Sequence, residues 1–318
     1  MNSPEPLLAG SAEECKDAPK ASVPPCKTGS PLGINYDVLA ALTASGKEKD
    51  ACRELRRATP FGGLLAVLGD PFAEALCPKQ HEQPFIPRLL SLLEKEYPDI
   101  LYRPLENNTF SGKRALVIGS GPAGLQAAWT LREHGHAVTV LEAAAAPGVT
   151  LLHAPVQESS SAPSAPSPAV PEETLKKTVA MLTESGIEFR CASPVGQAAL
   201  DSLLRDYDIV LCACGKGAVL PTDADGKVKD NLFAAGTCVK NQKGLGALQS
   251  MAFARKAALA ACRILSGVTE EARNHESTPL SDRPENDLAA RQDSSSASAF
   301  AAGSVHSDAL LCISCLKN

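Results

Sequence analysis

Long apolar runs are missing from this 318-residue chain, and no stretch reaches the length of about 20 residues that a membrane-spanning helix needs. The opening "MNSPEPLLAGSAEE" lacks the basic flank and apolar centre of a signal peptide. Aromatic residues make up only 4%, which gives no hint of a platform for stacking nucleic-acid bases. An excess of positive charge is absent too. A net charge of -5 and a pI near 5.8 argue against nucleic acid or an anionic membrane as the main partner. Cysteine, by contrast, is plentiful at eleven residues, and several sit inside apolar runs, as Cys212 and Cys214 do in "IVLCACG". That placement suits buried thiols in a reducing cytosol better than a disulfide framework. The expectation is therefore a cytoplasmic protein.

Composition divides the chain into parts. Residues 1–30 are polar and proline-rich and read as a flexible arm. Residues 31–108 carry helical patterns in "YDVLAALTASG", "KEKDACRELRRATP" and "PRLLSLLEKEY", and form a small all-helical module. Over 109–266 strands and helices alternate, which predicts an α/β Rossmann-like domain with a parallel sheet. A serine- and proline-rich insert at 156–170 reads as a surface loop within it. Residues 267–318 read as a disordered tail that ends in the C-x-x-C pair Cys312 and Cys315, which is half a metal site at most.

The stretch "RALVIGSGPAGLQAAWTLREHGHAVTVLEA" carries the chemistry. A short apolar run, Ala115 to Ile118, has the character of a buried parallel strand. Gly119, Gly121 and Gly124 follow in G-x-G-x-x-G spacing. The first allows a tight turn, the second lets the backbone approach a pyrophosphate, and the third lets the helix pack on the strand. The helix from Ala123 to Glu133 then offers its N-terminal N–H groups and dipole to an anion. A second strand closes on Glu142, placed to accept hydrogen bonds from ribose hydroxyls. A dinucleotide site is expected here. His134 and His136 flank the end of that helix and read as solvated.

With "PG" at 147–148, "SGIEFRCASPVG", "YDIVLCACG" and "LFAAGT…ARKAALAA", this stretch resembles the FAD-dependent oxidoreductases typified by the glutamate synthase small subunit and the flavin segment of dihydropyrimidine dehydrogenase. The helical module resembles that group's N-terminal iron–sulfur domain. The resemblance implies FAD as cofactor, with Gly119, Gly121, Pro122, Ala123 and Gly124 around the pyrophosphate and Glu142 on the adenosine ribose. It places Gly148 in the following loop, Val195 at the adenine edge, and Gly215 at the exit from the FAD domain. Gly236 and Thr237 match the second FAD motif, and Ser250 and Met251 lie on a helix aimed at the isoalloxazine ring. His153 falls near the expected flavin face, and no catalytic residue is assigned.

Three departures from the family pattern stand out. Thr237 replaces the usual Asp, and Val149 replaces the second glycine of a Gly-Gly pair. Between Gly215 and Phe233, where the family inserts a second Rossmann domain for NADPH, the bridge is too short for a βαβ unit of about 30 residues. Lastly, the module holds only Cys15, Cys26, Cys52 and Cys77, with no close pair, so thiols on a relic scaffold are favoured over an iron–sulfur cluster. The leading expectation is a flavoprotein oxidoreductase subunit or electron-transfer protein of the glutamate-synthase-small-subunit type. It would draw electrons from a redox partner protein or larger subunit. The alternative is a non-catalytic scaffold with the same fold.

Overall fold

The apolar runs assemble into one sheet made of β1 (Arg114–Ile118), β2 (Ala137–Leu141), β3 (Ile187–Arg190), β4 (Ile209–Cys212), β5 (Lys227–Lys229) and β6 (Leu232–Ala234). The computed structural model describes residues 29–76, 85–106, 110–153, 169–215, 219–240 and 246–266. The strand order is β3-β2-β1-β4-β6-β5, parallel throughout except for the edge strand β5, which pairs antiparallel with β6. In register, Ile118 lies opposite Leu141 on one side and Cys212 on the other. From β1 the chain crosses to β2 on one side, and from β3 it returns to β4 on the other. That reversal opens a crevice beyond the carboxyl ends of β1 and β4, the usual place for a ligand in an open parallel sheet.

Ten helices surround the sheet among the described residues: α1 (Tyr36–Ala44), α2 (Glu48–Ala58), α3 (Gly62–Leu68), α4 (Pro71–Ala75), α5 (Phe85–Glu96), α6 (Pro98–Leu101), α7 (Pro122–Glu133), α8 (Glu172–Glu184), α9 (Gln197–Asp206) and α10 (Ala247–Leu265). The two-residue period of a strand sends Ala115 and Val117 to one face, while Leu116 and Ile118 point to the other. The first face packs against α7, α8 and α10 and shares a continuous apolar core with the helical module. The second face is covered more thinly, by Leu200, Leu203 and Leu204 of α9. Helix α7 is buried from Ala123 to Arg132, because the sheet lies on one side and α10 on the other. Such a helix must be apolar nearly all round, as "AGLQAAWTL" is.

Two arginines join the module to this core. Arg56 donates to the carbonyls of Leu101 (2.8 Å) and Arg103 (2.6 Å) while its guanidinium lies 5.5 Å from the Trp129 ring centroid. Arg255 of α10 donates to the Ala58 carbonyl at 2.7 Å, satisfying an acceptor at the end of α2. Within the module, buried Asp70 caps α4 by accepting from the Ala73 N–H at 3.1 Å, and it also accepts from the Tyr36 hydroxyl at 3.1 Å. Burial pushes its carboxyl above the usual range, against the hydrogen bonds that favour the charged form.

Three local readings differ from the structure. Residues 98–101, outside the three helical patterns read in the module, form α6, with Pro98 at a first-turn position where its missing N–H costs nothing. The bridge after β4 contains strand β5, too short and polar ("KVK") to show a hydrophobic pattern. His136 is buried rather than solvated, its Nδ1 at 2.7 Å from the Ser111 hydroxyl, and burial lowers its pKa; His134 is exposed as expected. The arm before residue 29, the insert from 154 to 168, the tail from 267, and Cys15, Cys26, Cys77, Cys312 and Cys315 lie outside the described residues.

Candidate nucleotide-binding site

The crevice at the strand reversal is a cleft with a cavity volume of ≈ 460 Å3. That lies within the range of about 300–1,000 Å3 common for ligand sites. Its floor is the turn from β1 into α7. Each glycine of that turn answers to a different constraint. Gly119 has φ +100°, and a Cβ there would stand 2.5 Å from the Ala213 carbonyl oxygen of the neighbouring segment. A Cβ on Gly124 would stand 1.9 Å from the Gly119 carbonyl oxygen. The fold itself thus requires both. Gly121 is different: its φ is -66°, open to any residue, and the nearest atom to a Cβ would be the Thr150 hydroxyl at 3.4 Å, ordinary contact. Nothing in the protein demands glycine at 121. A Cβ there would take up space in the cleft, which Gly121 and Thr150 both line.

Glu142, at the end of β2, reaches back to the same turn. One carboxylate oxygen accepts from the Ser120 N–H at 2.8 Å and from the Ser120 hydroxyl; the other accepts from the Ala144 N–H at 2.8 Å. Burial would raise its pKa, but these hydrogen bonds outweigh it and hold the carboxyl below the usual range. Glu142 is therefore ionised at neutral pH, and it lines the cleft. Ser120 also accepts from the Gly148 N–H at 2.9 Å, which ties the loop after β2 to the glycine turn. Backbone bonds from Ala192 to Ala144 (2.8 Å) and from Ser193 to Glu142 (2.8 Å) lay the next loop alongside and bring Val195 to the cleft wall.

Two helix N-termini converge on the cleft. Pro122 and Ala123 open α7, and Gly246 and Ala247 open α10, where the Gln249 side chain accepts from the Gly246 N–H at 3.1 Å. First-turn N–H groups have no intrahelical acceptor, and each helix start carries about half a positive charge. Among the described lining residues there is no Lys or Arg, so these backbone groups are the site's means of meeting an anion. The far wall is built from Gly215, Gly236 and Thr237 at the ends of β4 and β6, with Ser250 on α10.

The structure brings most of the sequence-selected residues together. Gly119, Gly121, Pro122, Ala123, Glu142, Val195, Gly215, Gly236, Thr237 and Ser250 line one cleft, and His153 stands at its edge. Gly124 packs beneath the turn, Gly148 sits against Leu175 while donating to Ser120, and Met251 is buried in the core; these three do not line the cleft. Sequence reasoning missed Ser120, whose position in the glycine motif accepts any residue. It also missed Leu68, which the helical module contributes to the lining, and Cys214. In the module, Cys52 is buried, and no group of three or more metal-ligating side chains occurs among the described residues.

Comparison with known proteins agrees with this geometry. A family described as an NAD(P)-binding Rossmann-like domain matches residues 117–159. The chain is 27% identical over 215 residues to the glutamate synthase [NADPH] small chain of Mycobacterium tuberculosis, covering 66% of this chain and 41% of that one. It is 32% identical over 138 residues to the NAD-dependent dihydropyrimidine dehydrogenase subunit PreT of Salmonella typhimurium, covering 42% of this chain and 30% of that one. It is 35% identical over 106 residues to the NADP(+)-dependent formate dehydrogenase subunit beta of Moorella thermoacetica, covering 33% and 14%. The chain thus spans less than half the length of each of these relatives. No helix of the described residues is long and apolar enough to cross a membrane.

Proposed function

From its relatedness to nucleotide-dependent oxidoreductases of the glutamate synthase small chain and dihydropyrimidine dehydrogenase type, we propose that this chain is an FAD-binding subunit that passes electrons within a larger oxidoreductase. The observation that carries the reading is the clearance at Gly121, which the fold leaves open and a pyrophosphate would use. In this reading the N–H groups that open α7 hold the pyrophosphate. The ionised Glu142 accepts from the ribose hydroxyls and repels a 2′-phosphate, which disfavours an NADP-like adenosine half. The backbone at Val195 meets the adenine edge, and Gly236 and Thr237 face the other half of the cofactor. The start of α10 lends its positive end to negative charge on the ring. When bound, FAD would supply one- and two-electron chemistry at the cleft.

The segment between β4 and β6 favours a subunit over a self-sufficient NAD(P)H enzyme. Its described residues hold one short edge strand and an isolated bridge from Leu220 to Val239, with no βαβ unit. The electrons then arrive from a partner protein rather than from a nicotinamide held by this segment. The competing reading, a nucleotide-free scaffold, draws on Thr237 and Val149, where the resembling family has Asp and Gly. Titration of the purified chain with FAD, followed by flavin fluorescence and melting temperature, separates the two. Saturable binding with a rise in melting temperature is expected; neither signal at high FAD would leave the scaffold.

A further inference from the structure

The mechanism above makes no use of a pair of thiols at the cleft. Cys214 follows β4, lines the cleft and is exposed. Cys238 sits in the 3-10 turn Gly236–Cys238 after β6 and is fully buried. The parallel pairing of Cys212 with Ala234 brings the two strand ends side by side, and a Cβ at Gly215 would lie 3.8 Å from the Thr237 hydroxyl, so the residues next to the two cysteines face each other. The Cys238 thiol donates to the carbonyls of Cys212 (3.3 Å) and Ala235 (3.2 Å), which sets its sulfur against the segment that carries Cys214 two residues on. Among the described cysteines, Cys214 is the exposed one; Cys52, Cys212 and Cys262 are buried like Cys238.

We propose that Cys214 and Cys238 form a reversible dithiol–disulfide couple at the cleft, with Cys214 as nucleophile toward low-molecular-weight disulfides and Cys238 as resolving thiol. The asymmetry fits the roles, since one sulfur is open to the cleft and the other is buried behind it. The Cys238 hydrogen bond lowers the Cys214 pKa to about 7, against the effect of burial, while Cys238 itself is held well above the usual thiol range by that bond and by burial. An exposed thiolate beside a protonated partner is the arrangement of a dithiol exchange site.

The exchange balances without a further reagent. The Cys214 thiolate attacks RSSR, forming Cys214–S–SR and releasing RS⁻. Cys238 then loses its proton and attacks the Cys214 sulfur, forming the internal disulfide and releasing the second RS⁻. Two protein thiols are oxidised by two electrons, one small disulfide is reduced to two thiols, and the two protons end on those thiols. The step needs no bound nucleotide. It therefore stands or falls separately from the FAD reading, although the disulfide would form in the wall of that cleft.

The test uses the full-length chain in glutathione buffers of graded reduced-to-oxidised ratio, followed by acid quench, differential alkylation and peptide mass spectrometry. Wild type should form a 214–238 disulfide that reverts on adding reduced glutathione. Cys238→Ser should instead accumulate a glutathione adduct on Cys214, and Cys214→Ser should yield neither product. Alkylation of Cys214 should titrate with a midpoint near pH 7 and shift upward by at least about one unit in Cys238→Ala, where the hydrogen bond is gone. A stable Cys214 adduct in wild type with no internal disulfide would overturn the couple. So would an alkylation midpoint unmoved by Cys238→Ala.

Discussion

Replacing Gly121 by alanine separates the fold from the ligand. Gly121 is the N-cap of α7 with φ -66° and ψ -175°, a conformation alanine adopts freely. Its new Cβ meets only the Thr150 hydroxyl, at 3.4 Å. Alanine is a poorer N-cap than glycine by about 0.5–1 kcal/mol. The same change lowers the unfolded chain's entropy and returns about 0.4–1 kcal/mol. The two nearly cancel, so the unliganded melting temperature should move by no more than about 1–2 °C.

Binding has no such cancellation. An added methyl in the path of the pyrophosphate pushes its oxygens off one or two N–H donors, each charge-assisted bond being worth about 1.5–3 kcal/mol. A loss of about 2–4 kcal/mol is roughly 30- to 700-fold in Kd. Gly124→Ala serves as the contrast, because its Cβ would stand 1.9 Å from the Gly119 carbonyl oxygen and the folded state should suffer directly. Calorimetric titration with FAD and with ADP-ribose, beside thermal melts, reads both quantities. Should Gly121→Ala keep FAD affinity within about threefold of wild type, the idea that ligand phosphate occupies this space is wrong. A melting temperature lowered by more than about 5 °C would show instead that the space is not free.

Further outcomes follow from the same structure. Glu142→Gln should narrow the preference for ADP-ribose over its 2′-phosphorylated form by about tenfold or more, since a like-charge contact is removed; an unchanged ratio in competition titration argues against Glu142 meeting the ribose. Because the folded-state pKa of Glu142 is depressed, its contribution to stability is fully present above the ordinary carboxylate range and is lost as pH falls through the depressed value, with no change between pH 6 and 8 from this group. Asp70 runs the other way: its carboxyl is raised by burial, so stability falls as pH rises through that raised value. Asp70→Asn keeps an acceptor for the Ala73 N–H and should flatten that part of the melting-temperature profile; an identical profile in the variant would refute the assignment. FAD-loaded chain mixed with NADPH or NADH in a stopped-flow instrument should bleach slowly and without saturation, because hydride transfer needs the nicotinamide held at about 3–3.5 Å from the flavin. Rapid, saturable bleaching by either would reveal a nicotinamide site in this chain.

How far the sequence carried these arguments depended on the range of the interaction. The β1–α7–β2 unit was legible because its signals are local: an apolar run buried on both faces, glycines whose spacing fits one turn, and an acid at the end of the next strand. The helix that the resemblance implied at Ser250 and Met251 is α10. The solvated reading of His136 failed because the segment before β1 lies alongside it, with the Ser111 N–H donating to the Gly135 carbonyl at 2.8 Å and the Ala137 N–H to the Lys113 carbonyl at 2.9 Å, which no helix-end rule can anticipate. Leu68 reaches the cleft because the helical module shares a continuous apolar core with α7, α8 and α10, a contact between distant parts of the chain. Cys214, read from its apolar run as a buried thiol, is exposed because it lies just past the end of β4, and only the β4–β6 register places it near Cys238.

Thr237 shows the same limit at the level of chemistry. Read in sequence, it is a lost carboxylate and a weakened site. In the cleft it stands beside Gly215 and Gly236, in a lining whose described residues include no Lys or Arg. A carboxylate only accepts hydrogen bonds, whereas a hydroxyl donates as well. If FAD binds as proposed, threonine at a site without Lys or Arg would offer a hydrogen to a ligand oxygen and remove one negative charge from the neighbourhood of the phosphates. The departure changes the sense of the hydrogen bond at this wall and leaves a polar group in place, so it does not by itself argue for an empty cleft.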